Sequence, residues 1–327
     1  MKKLLNIFIV SFALVFSSSV FANKIGVVYD SGGKFDKSFN ELAFKTAERV
    51  KNELGWQMVE FESSNDAQIE QGMRKIADRG ATMIVGMGFA QADAVAAVSA
   101  DYPDIKFVAV DVCWLDDPNN NIYQACYKEH EGSFLVGMMA AMASKTGTIG
   151  FVGGMDIPLI RKFQGGYEQG AQYVNPDIEV LANMTGTTNE AWNNPTKGAE
   201  LTKAQIDGGA DVVYQAAGGT GIGVLQAAAD AGIMGIGVDA NQNWMHPGNM
   251  LTSMLKRLDL TIFAQAEAIA AGTFEPSGQF LSLGLAEGGV GYATEDGMVT
   301  DEMAAAADAA AADIASGAIV VADWSQE

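Results

Sequence analysis

The sequence predicts an α/β protein of two lobes, each a parallel sheet covered by helices on both faces, with a hinged cleft between them. Three observations predict it. Short apolar, β-branched runs alternate with longer segments of helical period along nearly the whole chain. The pattern is interrupted midway by Lys145-Thr146-Gly147 and begins again at Ile149. A chain of 327 residues also has the length for two domains of ordinary size.

In the first half the strand candidates are Ile25–Tyr29, Met58–Phe61, Met83–Val85 and Phe107–Val110, with helical periods near 38–54, 66–79, 90–100 and 130–144. The second half repeats the plan. Its strand candidates are Ile149–Val152, Ile178–Ala182, Val212–Gln215 and Gly235–Val238, and its helical periods lie near 158–174, 195–208, 221–232 and 258–272. Met303–Ala322 is apolar and alanine-rich, but Asp308 and Asp313 make it an amphipathic surface helix rather than a span. One lobe is expected to take residues 23–145 and about 255–285, the other residues 146–254 and about 286–327. The chain would cross at Lys145-Thr146-Gly147, return through Leu251–Leu255 and cross once more beyond about 286. Several connecting strands of this kind form a hinge.

The N-terminus speaks to compartment. Lys2 and Lys3 precede an apolar run from Leu4 to Phe16, followed by three serines and Val20-Phe21-Ala22. That order is a secretory signal peptide of residues 1–22, cleaved before Asn23, and the run is short for a membrane anchor. No cysteine stands at the cleavage point, so the mature protein is expected free in the periplasm, without a lipid anchor. Twenty Lys and Arg stand against 40 Asp and Glu. The net charge of −20 becomes −22 once Lys2 and Lys3 leave. So acidic a surface repels nucleic acid and anionic lipid, and keeps an abundant protein monomeric. Two histidines in the whole chain, without HExxH, CxxC or EF-hand spacing, give no expectation of a metal or cofactor. GxSxG and phosphate-loop patterns are missing too, so catalysis is not expected. Cys113 and Cys126 have two readings: a disulfide closing a small loop around Asp116-Asp117-Pro118-Asn119, or two buried free thiols on neighbouring strands.

Ligands of such sheets lie beyond the carboxyl ends of the strands. Asp30 follows the first strand and opens a loop running through Asp36 and Ser38, either of which could cap the next helix, to Phe39 and Asn40. Gly88 and Phe89 follow the third strand, and Asp111 the fourth. In the second half, the run from Ala216 through Gly218 to Gly223 follows one strand and Asp239 another. Lys256 stands near a crossing of the chain. Each has a plainer reading: Asp30 and Asp111 as helix caps, Trp192 as packing, Lys256 in a surface ion pair. Taken together, the set is rich in acceptors and poor in cations. It suits a neutral ligand bearing hydroxyls and N–H donors better than a phosphate or dicarboxylate.

Three motifs occur in order: Asp36-Lys37-Ser38-Phe39-Asn40, the run from Gln215 to Val224, and Gly237-Val238-Asp239 followed by Leu251 to Arg257. Together they resemble the basic membrane protein family, the purine-nucleoside receptors of bacterial ABC importers, over essentially the whole mature chain. The resemblance implies a two-lobed periplasmic-binding fold of the ribose-binding kind. It also implies a purine nucleoside such as adenosine, guanosine or inosine in the cleft, and an ABC permease of the inner membrane as partner. By position, Phe39 would stack on one face of the base and Trp192 on the other. Asn40 and Asp111 would bond the base edge, Asp30 matches a further pocket position, and Gly218, Asp239 and Lys256 match the ribose site. The chain departs from the family in Trp192, where many relatives have Phe, in Asn193-Asn194, where they have an acid, and in lacking the lipobox cysteine. A sugar or another small polar solute, or a sensory module that presents its ligand to a receptor, would use the same lobes.

Overall fold

The inner strands of each of the two sheets are short and apolar, and are buried on both faces. A computed structural model describes residues 22–63 and 65–326. The expected leader lies, but for Ala22, outside the described residues. In chain order the first sheet receives β1 (Lys24–Tyr29), β2 (Gln57–Glu62), β3 (Met83–Met87), β4 (Lys106–Val110) and β5 (Ile122–Tyr127). Between them run α1 (Phe39–Leu54), α2 (Ile69–Asp78) and α3 (Ala92–Asp101). The helix α4 (Glu129–Ala143) leads to a second set: β6 (Thr148–Met155), α5 (Pro158–Val174), β7 (Glu179–Gly186), α6 (Pro195–Asp207), β8 (Val212–Ala216), α7 (Gly221–Asp230), β9 (Met234–Asp239) and β10 (Met250–Lys256). The chain then returns with α8 (Leu258–Ala271) and β11 (Ser282–Leu283), and ends with β12 (Val290–Tyr292) and α9 (Asp301–Ser316) in the second lobe.

The strand orders are β11-β5-β4-β3-β1-β2 and β12-β10-β9-β8-β6-β7, so the lobes repeat one topology. Pairing is parallel except between β10 and β12. Alternation along each strand divides its side chains between two cores. In the first lobe Ile25, Val27 and Tyr29 face α1 and α8, while Val28, Ile84 and Phe107 face α2 and α3. In the second, Phe151, Tyr214 and Ile236 face α4, α5 and α9, and Val152 and Val213 face α6 and α7. Helix ends follow their sequence signals. Asn194 caps α6 by accepting from Lys197 N at 3.0 Å, and α8 stops at Gly272 in the left-handed region.

The packing of α4 differs from the boundary read at Lys145-Thr146-Gly147. It lies against α5, β10 and α9, so the chain leaves the first sheet directly after β5, one helix earlier. Its approach to α5 is backbone on backbone: a Cβ on Gly137 would run into the Tyr167 carbonyl, and one on Gly170 into that of Phe134. Gln124 hid β5 from the apolar pattern. Inside the fold its side chain accepts from Leu115 N at 2.7 Å and donates to Leu115 O at 2.9 Å. Leu251–Leu255, read as a crossing, is the body of β10, and the crossing follows at Lys256. α9 buries Met303, Ala307, Ala310 and Ile314 along one face and ends at Gly317, short of Ala322. Among the described residues no helix is long and apolar enough to cross a membrane.

Candidate functional site

The carboxyl ends of both sheets open on one cleft, which encloses about 540 Å³ of empty space, part of it open to solvent. From the first lobe its wall takes Asp30 after β1, Phe39 at the start of α1, Gly88 and Phe89 after β3, and Asp111 after β4. From the second come Phe163 on α5, Trp192, Gly218 after β8, Asp239 at the end of β9 and Lys256 at the end of β10. Seven of the eight residues singled out in the sequence therefore share one cavity. Asn40 stands behind the wall. Its Nδ2 donates to Asp30 Oδ1 at 2.5 Å and to Gly33 O at 3.2 Å, and its Oδ1 accepts from Asp30 N at 3.2 Å. With its amide spent in this way, Asn40 holds Asp30 in place rather than facing the cavity.

Of the two cap candidates, Asp36 alone binds the helix amides. Asp36 accepts from the backbone N–H of Ser38 at 2.9 Å, Asn40 at 2.9 Å and Glu41 at 3.1 Å. Burial raises its carboxyl to about 7 against the pull of these amides. Ser38 makes no side-chain cap bond. Its Oγ reaches the other lobe and donates to Val238 O and Asp239 Oδ2, both at 3.0 Å. Beside it Gln242 Nε2 donates to Lys37 O at 3.1 Å.

Asp111 and Asp239 occupy matching places, each at the carboxyl end of the strand fourth in its lobe. Both adopt left-handed backbone, with φ of 62° and 65°. Aspartate tolerates this region better than most residues, yet it costs free energy, and such cost concentrates at functional positions. Lys256 lies between them, 1% exposed. Its Nζ is 2.6 Å from Asp111 Oδ1 and 2.9 Å from Glu129 Oε1. Glu129 also faces Lys162 at 3.4 Å, and Lys162 donates to Tyr127 O at 3.0 Å. Burial disfavours the Lys256 ammonium, but Asp111, Glu129 and Asp239 outweigh it and hold the group well above its usual range. Burial pushes Asp239 up to about 6 even though Lys256 pulls it down, and raises Asp111 likewise. Glu129 feels the same burial, yet Lys256 and Lys162 keep it below the ordinary carboxyl value. Asp239 Oδ1 is buried without a hydrogen-bond partner among the described residues, so one lone-pair face is available to a donor.

The aromatic walls come from both lobes. Phe39 is 8% exposed, with Lys256 Nζ 5.3 Å from its ring centroid, and Phe163 lies at 5.8 Å from the same ammonium. Trp192 ends a 3-10 turn, Asn189–Trp192, and its ring lies over Gly154 of β6, where any Cβ would collide with it. Phe163 and Glu129 were not singled out in the sequence. For Glu129 a signal existed: it opens a helix whose residues are buried from Glu129 to Ala140, and an acid there needs a cation. Three carboxylates around Lys256, with Asp30 and Asp36 nearby, make the cleft a receptor for hydrogen-bond donors and a poor host for anions. Among the described residues no cluster of His, Cys, Asp and Glu could hold a metal ion.

Comparison with known proteins identifies the family and the fold. Residues 22–324 match the family model described as Bmp, ABC transporter substrate-binding protein PnrA-like. The ABC transporter nucleoside-binding protein BmpA of Lactococcus lactis subsp. cremoris is 31% identical over 91% of this chain and 88% of its own length. A protein of Pyrococcus furiosus named as an uncharacterized lipoprotein is 33% identical over 84% of this chain and 71% of its own. The crystal structure of an ABC-system solute-binding protein from Aeropyrum pernix K1 superposes with a TM-score of 0.82 at 27% identity, covering 92% of this chain and 93% of that one.

Proposed function

Since this chain belongs to the Bmp family of PnrA-like ABC transporter substrate-binding proteins, we propose that its ligand is a purine nucleoside, held in the cleft and passed to an ABC permease of the inner membrane. The observation that supports the reading best is the pair of carboxylates, Asp111 and Asp239, presented by opposite lobes around one buried lysine. A nucleoside has the matching shape: a flat base for the slot between Phe39 and Trp192, an edge with N–H donors for Asp111, and ribose hydroxyls for Asp239 and Lys256. Carboxylates that accept from hydroxyls give charge-assisted bonds, and Lys256 offsets the burial of their charge. Stacking on two aromatic faces contributes about 1–3 kcal/mol per base. The protein acts as a monomer, free in the periplasm once its leader is removed.

Calorimetry tests this directly. Adenosine, guanosine or inosine should bind with micromolar affinity or tighter, about −8 kcal/mol. The corresponding 5′-monophosphates should bind far more weakly, because the acids of the cleft repel them. Saturable binding of ribose or another sugar, with none of any purine nucleoside, would sink the proposal.

A further inference from the structure

A second chamber adjoins the cleft on the far side of Asp111. Trp114, the Cys113–Cys126 disulfide, Ile157 and Pro158 wall it, and it encloses about 1000 Å³ of empty space, much of it open to solvent. Phe89, Asp111 and Leu159 line both chambers, so these three side chains form the boundary between them. The charged groups at the inner end are already committed. Glu129 pairs with Lys256 and Lys162, and Lys162 also donates to Tyr127 O. What the chamber has left to offer is mostly carbon and sulfur surface.

We infer that this chamber is a subsite for an apolar or aromatic substituent on the group that meets Asp111. The protein would then take purine nucleosides alkylated or benzylated at the exocyclic amine as well as the plain compounds. The inference rests on the nucleoside reading of the main slot. A monosubstituted amine keeps one hydrogen for Asp111 and directs its substituent past that boundary, between Phe89 and Leu159, into the second chamber. An anionic tail would meet Asp111 and Glu129, and a cationic one Lys162. Apolar surface is the complement that leaves every existing ion pair intact.

The experiment is calorimetry of the mature protein with adenosine and N6-benzyladenosine, repeated on Ile157→Trp and Trp114→Ala. Ile157 lines the second chamber only, so Ile157→Trp fills it without altering the main slot. Trp114 is 48% exposed, so Trp114→Ala keeps the fold even if the larger substitution does not. N6-benzyladenosine should bind at least as tightly as adenosine. Each variant should weaken it about tenfold or more, the scale of two buried methylene groups, while adenosine stays within about threefold. Adenosine binding normally while the benzyl compound is lost about 100-fold would overturn the inference and leave the nucleoside reading standing. So would benzyl binding that neither variant changes. Failure of adenosine itself to bind would instead overturn the nucleoside reading, and the inference with it.

Discussion

The two lobes are the same sheet used twice, and they differ at the cleft between them. Asp111 follows β4 and Asp239 ends β9, both in left-handed backbone at the same place in the strand order. The spacing from Asp111 to Lys128 is also that from Asp239 to Lys256. Yet Lys128 lies partly exposed, 3.4 Å from Glu131, while Lys256 is buried against Asp111 and Glu129. The loops after the two aspartates are fastened by different chemistry as well. Behind Asp111 the Cys113–Cys126 disulfide ties the loop to β5. Behind Asp239 a hydrogen-bond network does the work: Gln242 N donates to Ser253 Oγ at 3.0 Å, Ser253 Oγ to Asn243 Oδ1 at 2.8 Å, and Asn243 Nδ2 to Glu295 O at 2.8 Å. A symmetric scaffold supplies two acceptors, and one asymmetric cation decides where charge is balanced.

The lysines offer the sharpest test of this contrast. Lys256→Met leaves Asp111 and Asp239 buried without their cation, and Glu129 with Lys162 alone, and should cost about 3–5 kcal/mol in urea unfolding. Lys128→Met removes a partly exposed pair and should stay within about 0.5 kcal/mol. Equal losses would mean that the lobes are balanced alike, against the asymmetry described here.

The fastenings come next. Replacing both Cys113 and Cys126 by Ser opens a loop with a sequence separation of 13, and should cost about 3 kcal/mol. In the other lobe, Asn243→Ala leaves the Ser253 hydroxyl without its acceptor and the Glu295 carbonyl with only the longer bond from Asn241, for about 1–3 kcal/mol. If the cysteine variant unfolds at the wild-type urea midpoint, the bridge contributes nothing to holding Asp111.

Ligand fragments can separate the aspartates. Asp239→Ala should weaken nucleoside binding by about 2–4 kcal/mol and spare the free base, whereas Asp111→Ala should weaken both alike. Calorimetry with adenosine and adenine reads the difference. Parallel losses in both variants would merge the two roles.

The smallest effect is in pH. Asp239 is raised to about 6 when folded, so the folded state holds this proton more tightly than the unfolded chain, and its contribution to stability declines as pH rises from about 4 to 6. Ligand binding slopes the other way, because hydroxyl donors need the ionised oxygen. Nucleoside affinity should fall about tenfold for one unit below the folded value, with Lys256, Asp111 and Glu129 facing the same carboxyl. Asp36 titrates too, near 7, so the dip is read as wild type minus Asp239→Asn. A dip unchanged in Asp239→Asn would assign it to another group.

Much of this was legible in the sequence, for a physical reason. Strands covered on both faces must be apolar without interruption, and β1, β3, β4 and β9 therefore announce themselves. Strand ends then mark the cleft, which is how Asp30, Asp111 and Asp239 could be found. β5 stayed hidden because Gln124 is satisfied only by a backbone segment earlier in the chain, and α4 was placed in the wrong lobe because its allegiance rests on glycines meeting α5. Asn40 shows the remaining gap. Sequence position puts it at the pocket, but only the directions of its hydrogen bonds show that it serves Asp30.

Ser38 carries a consequence in time rather than in affinity. Its hydroxyl and the Gln242 amide join the lobes directly, without passing through the ligand. Those bonds must break before the lobes part, so they lengthen the residence of whatever is inside, about tenfold for each 1.4 kcal/mol they add to the opening barrier. Stopped-flow release from Ser38→Ala would measure that share. A permease that prises the lobes apart therefore works against a latch as well as a ligand, and the speed of delivery is set in part by a residue that touches neither the solute nor the membrane.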